Sequence, residues 1–169
     1  MNNILKNKDK IVLALSFVAT LLVCPLVFAL LNETINDVEV AFAEYGLQLA
    51  ASAVLFALAV SKNQNIKLYI IPLVLSFGSI LFYESYYAMI NFKFNYFYYI
   101  AIYGITLCFN IVYILGNTKV KNIAELLLFA CACFSLVNVF NSSFYYASMF
   151  LTQVSLLMII YLVKIEEEN

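Results

Sequence analysis

The chain of 169 residues contains no arginine, no histidine and no tryptophan, and it is poor in charge, with 11% Asp, Glu and Lys together. Each absence removes chemistry. Without imidazole there is no histidine proton relay, no histidine metal ligand and no Ser-His or Cys-His nucleophile pair. Without guanidinium there is no bidentate clamp for phosphate or carboxylate. Classical hydrolase and metalloenzyme mechanisms are thereby set aside, and no cofactor is expected. Glycine is scarce at four residues and proline at two. Transporters that unwind helices around a substrate usually need clusters of both, so alternating access is disfavoured. All nine basic residues are lysines, which suggests an AT-rich, bacterial coding background.

What is present is apolar. Hydrophobic residues make up 65% of the chain and the mean hydropathy is +0.94, outside the range of a soluble domain. Six apolar stretches occupy most of it: residues 11–31, 40–60, 68–90, 96–115, 123–140 and 144–163. At a rise of about 1.5 Å per residue, each is long enough to cross a hydrocarbon core of about 30 Å. The first is too long for the apolar region of a signal peptide and is read as a retained helix. The gaps are short, which forces consecutive helices into antiparallel neighbours. The expectation is an all-α integral membrane protein, a compact bundle of six transmembrane helices forming a single domain over residues 1–169. No internal repeat is evident.

Lysines alternate between the gaps. Lys6, Lys8 and Lys10 precede the first stretch, Lys62 and Lys67 lie between the second and third, Lys119 and Lys121 between the fourth and fifth, and Lys164 follows the sixth. Lys93 falls in an opposite gap. Positive charge is retained on the cytoplasmic side, so both N- and C-termini are expected there, in a bacterial inner membrane.

The opposite end is acidic and aromatic. Glu33, Asp37 and Glu39 are joined there by Tyr83, Tyr86, Tyr87, Tyr96, Tyr98, Tyr99, Tyr145 and Tyr146. Tyrosine belongs at headgroup level, but such a rim also suits cations through ring faces. Within the spans, Glu44, Gln48 and Ser52 recur at i, i+4 and i+8 and form one polar stripe, facing the bundle or a water-filled cavity. Gly46, Ala50, Ala53 and Ala57 form a small-residue face on the same helix. Glu84, in the outer half of the third stretch, is a candidate partner for Glu44 in a paired acidic site. Asn110, Asn138 and Gln153 are mid-span polar groups expected to bond between helices. Glu125 is expected to complement a helix N-terminus. Cys131 and Cys133, about 200° apart on a helix, cannot share a ligand or a disulfide.

Three function classes follow. The first is a non-catalytic bacterial inner-membrane subunit that oligomerises or recruits a soluble cytoplasmic protein through the basic rim of Lys6, Lys8, Lys10, Lys62, Lys67, Lys119 and Lys121, as in defence, immunity or envelope complexes. The second is a small cation or solute channel or transporter using Glu44, Gln48 and Ser52. The third is a lipid-active intramembrane enzyme with paired carboxylates. Membrane lipid and further copies of the chain are the expected partners, and nucleic acid is not.

Overall fold

The computed structural model describes residues 7, 9–11, 13–14, 38–63, 65–92, 94–140 and 144–167, and these are all-helical with no strands. Five α-helices are complete: α1 (Val38–Val60), α2 (Ile70–Asn91), α3 (Phe94–Ile114), α4 (Lys121–Val139) and α5 (Phe144–Glu167). Two short 3-10 helices, Ile66–Tyr69 and Thr118–Val120, lead into α2 and α4. Their bounds lie within a few residues of the second to sixth apolar stretches. The first stretch falls outside the described residues apart from 11, 13 and 14, which are helical.

Among the described residues, three segments are long and apolar enough to cross a membrane: Ile66–Asn91, Tyr96–Ile114 and Thr118–Val137. Two shorter apolar segments, Gly46–Val60 and Met149–Lys164, lie within helices of 23 and 24 residues. Consecutive helices pack against one another, and α5 also reaches back to α2. One apolar core gathers Leu55, Tyr69, Leu73, Phe77, Ile80, Tyr103, Leu128, Met149, Leu156 and Ile159.

The α1–α2 and α3–α4 loops are built the same way. At the end of α1, Lys62 N–H bonds Ala59 O at 3.1 Å and Asn63 N–H bonds Leu58 O at 3.0 Å. At the end of α3, Gly116 N–H bonds Tyr113 O at 3.0 Å and Asn117 N–H bonds Val112 O at 3.3 Å. Both are Schellman closures, which need a left-handed residue at the turn. Lys62 supplies φ +51° and Gly116 φ +109°. An asparagine then starts each 3-10 turn, Asn65 accepting from Lys67 N–H and Asn117 from Lys119 N–H, each at 3.1 Å. The sequence shows this only as two Asn-x-Lys triplets, and the repeat becomes visible in the backbone.

This architecture gathers the lysine-bearing ends. Lys62 pairs with Asp9 at 3.9 Å, both exposed, so the residues ahead of the first stretch share an end with the α1–α2 loop. Lys164 lies over the Tyr113 ring, 5.5 Å from its centroid, which brings the end of α5 beside the end of α3. Pro72 is the third residue of α2, where a missing N–H costs little.

Candidate functional site: a polar seam inside the bundle

The buried face of α1 carries Gln48, Ala51, Ser52, Leu55 and Ala59. The small-residue face lies elsewhere: Gly46, Ala53 and Ala57 are exposed and Ala50 is half-buried. A helix crossing a membrane meets apolar surroundings on every side, so small residues do not by themselves select the packing face. The amide of Gln48 does. Its Nε2 donates to Thr152 Oγ1 on α5 at 2.9 Å, and its Oε1 accepts from Ser79 Oγ at 3.2 Å and Ser76 Oγ at 3.4 Å on α2. Ser79 Oγ also lies 2.8 Å from Ser76 O. Ser76 and Ser79 are three residues apart and share one helix face. Their hydroxyls face the Gln48 amide oxygen, with Ser79 sharing its single proton between that oxygen and the closer Ser76 carbonyl. One side chain thus ties three helices together.

Thr152 and Gln153 are adjacent on α5, so they point about 100° apart. Thr152 meets α1, and Gln153 meets α4. Ser135 Oγ donates to Gln153 Oε1 at 3.1 Å, and Tyr103 Oη lies 3.2 Å from the same Ser135 oxygen. A serine has one proton to give. With that proton directed to Gln153, Tyr103 donates to Ser135, and the order is Tyr103 to Ser135 to Gln153. Below it, Thr106 Oγ1 lies 2.7 Å from Ile102 O and 3.1 Å from Cys131 Sγ. Asn110 Nδ2 donates to Thr106 O at 2.9 Å and Ala124 O at 3.3 Å. Tyr103, Thr106 and Asn110, at i, i+3 and i+7, form a polar column on α3.

Glu84 stands beside this seam. It is 1% exposed on α2, and its Oε2 meets no hydrogen-bond partner among the described residues. It lies seven residues, two turns, beyond Phe77 on α2, whose ring meets that of Tyr103 edge-on at 6.1 Å between centroids. Gln153, fully buried, likewise leaves Nε2 without an acceptor. An unanswered acceptor on α2 and an unanswered donor on α5 are therefore both buried in the bundle among the described residues. Desolvating a carboxylate in this way is expensive.

Of the residues singled out in the sequence, Gln48 and Ser52 are buried on one face of α1. The side chains of Glu39, Glu44, Asn138, Tyr145 and Tyr146 lie outside the described residues, as do Glu33, Asp37, Lys6 and Lys8 altogether. The pairing of Glu44 with Glu84 lies, with the Glu44 side chain, outside the described residues. Glu84 is inside the bundle and not on the aromatic rim. The rim itself is partly assembled: Tyr87 packs at 4.6 Å from Tyr83, 5.5 Å from Tyr86 and 6.2 Å from Tyr96 between ring centroids. Tyr98 meets Tyr99 and Phe134 edge-on. Of the basic rim, Lys10, Lys62, Lys67 and Lys119 are exposed and Lys121 is half-buried. Cys131 is buried and Cys133 exposed, in keeping with their angular separation. Sequence reasoning passed over Tyr103, Ser135 and Thr152. The adjacent polar pair Thr152–Gln153 in the middle of an apolar run was the available signal. Among the described residues no group of three or more Cys, Asp or Glu gathers as a metal site. No protein-family model, curated protein or solved structure matches the chain.

Proposed function

We propose that this chain is a small cation- or solute-handling membrane protein whose interior polar seam, centred on Glu84, binds the permeating species. In this reading six helices cross a bacterial inner membrane and the lysine-bearing end faces the cytoplasm. The observation that supports it is the carboxylate of Glu84, buried among apolar helices with an oxygen that meets no donor among the described residues. Ionisable groups at membrane depth are costly and mark ion or proton pathways by default. The seam shifts the reading from the Glu44 stripe toward Glu84. Gln48 is already engaged with three neighbours, whereas Glu84 and Gln153 hold unanswered polar atoms. The roles of Tyr103, Ser135 and Gln153 are those of ligand-orienting groups, with no nucleophile and base paired for covalent chemistry.

The test is reconstitution into liposomes with a pH-sensitive dye inside, under an imposed proton, sodium or potassium gradient. Wild-type protein is expected to dissipate at least one gradient above protein-free liposomes, and Glu84→Gln to slow it about tenfold or more. Equal rates for wild-type and protein-free liposomes, or for wild-type and Glu84→Gln, reject the reading.

A second reading is favoured by a different observation. Lys62, Lys67 and Lys119 are exposed on two loops of matching construction, a basic surface suited to an acidic cytoplasmic partner or anionic lipid. Under this reading the chain is a non-catalytic subunit. A stoichiometric soluble protein recovered with the tagged chain, and lost when these lysines become glutamate, would support it.

A further inference from the structure

Away from the seam, a groove of about 330 Å³ opens between α4 and α5, lined by Glu125, Phe129, Leu157, Met158 and Tyr161. Its walls follow helix geometry: Glu125 and Phe129 are four apart on α4, and Leu157 and Tyr161 four apart on α5, so each pair shares a face. Phe129, Met158 and Tyr161 are exposed, so the groove looks outward from the bundle. At one end it holds a carboxylate. Glu125 Oε1 is shielded from solvent yet meets no hydrogen-bond partner among the described residues.

The depth of this carboxylate is set by its helix. Glu125 lies four residues beyond Lys121, about 6 Å along the axis, and Tyr161 sits three residues before Lys164. Both therefore stand about one turn inside the lysine-bearing end, where headgroups give way to acyl chains. An outward groove at that level is filled by lipid when the helices span a bilayer. The lining then selects among lipids. A carboxylate with aromatic rings beside it attracts an ammonium group, by charge and by ring faces. It repels a lipid whose headgroup carries net negative charge. The apolar remainder of the groove, Phe129, Leu157 and Met158, suits an acyl chain.

We infer that the groove between α4 and α5 is a binding site for a phospholipid bearing an ammonium headgroup, of the phosphatidylethanolamine type, with Glu125 as the residue that recognises the ammonium. The site is separate from the seam at Glu84 and does not depend on what that seam carries.

The experiment places the full chain in nanodiscs of phosphatidylethanolamine and phosphatidylglycerol in equal amounts. The protein is then extracted gently, and retained lipid is counted by native mass spectrometry. Wild-type protein is expected to keep phosphatidylethanolamine about threefold to fivefold above the bulk ratio, the scale of one partly screened ion pair. Glu125→Gln is expected to return the ratio to bulk. Met158→Trp, which fills the groove and leaves the carboxylate in place, is expected to do the same, and circular dichroism checks that both variants remain helical. A bulk ratio for the wild type, enrichment of phosphatidylglycerol, or undiminished enrichment in a helical Glu125→Gln overturns the inference. So does a dimer mass abolished by Glu125→Gln with no lipid retained, which would assign the groove to a second copy.

Discussion

Gln48 offers the sharpest test of how the helices are held together. Replacing it with leucine keeps most of its volume and removes the amide that joins α1 to α2 and α5. The bond to Thr152, at 2.9 Å, is well formed, whereas Ser79, at 3.2 Å, shares its one proton with the Ser76 carbonyl and the 3.4 Å approach of Ser76 is long. Side-chain hydrogen bonds between membrane helices average about 0.6 kcal/mol and reach about 1.7. The bonding partners left behind are not all stranded, since Ser79 keeps its approach to the Ser76 carbonyl at 2.8 Å. A threonine in a helix can turn back to a carbonyl one turn earlier. Gln48→Leu is therefore expected to destabilise the folded bundle by about 1–2 kcal/mol, taking two effective bonds at that average with some desolvation added. The assay is reversible unfolding in mixed micelles followed by circular dichroism. A double-mutant cycle with Thr152→Val isolates the bond itself, and a coupling of about 0.6 kcal/mol is expected. A coupling indistinguishable from zero would refute the claim that this amide links α1 to α5. A loss above about 4 kcal/mol would show that Gln48 supports far more of the core than its bonds.

The two matching turns give opposite substitutions. Lys62 holds a left-handed φ of +51° without being glycine, so Lys62→Gly is expected to stabilise the bundle by about 1 kcal/mol, whereas Gly116→Ala, at φ +109°, is expected to cost at least that much by the same unfolding assay. Because a Cβ built at Gly116 meets nothing within 4 Å, that cost is one of backbone strain and not of collision. For the cysteines, maleimide labelling in mild detergent of the Cys24→Ala protein is expected to modify Cys133 and Cys108 about tenfold faster than Cys131, which is buried against Thr106. Equal rates at Cys131 and Cys133 would show that α4 is rotated from the described packing.

Composition and periodicity determined the helical class of this protein and where its helices run. Runs of about 20 apolar residues admit few other structures, because every backbone N–H and C=O must be satisfied within the segment. The second to sixth apolar stretches accordingly correspond to α1 through α5. The i, i+4 spacing of Gln48 and Ser52 was enough to put them on one buried face, since angular position along a helix is a local property. The opposite fates of Cys131 and Cys133 follow from the same rule. Which helix each face meets is not local. Gln48 and Thr152 are separated by 104 residues, and no pattern within either helix names the other. Lysine and tyrosine placement marks the ends of helices and says nothing of their rotation about their own axes. Thus Glu84 could be placed near the outer end of α2 from sequence, but its burial beside Tyr103 depends on how α2 and α3 turn toward each other. In a membrane that rotation is weakly encoded in hydropathy, because lipid and protein interior are alike in polarity. It is set by the few polar side chains that must find partners, and those partners exist only once the helices are packed.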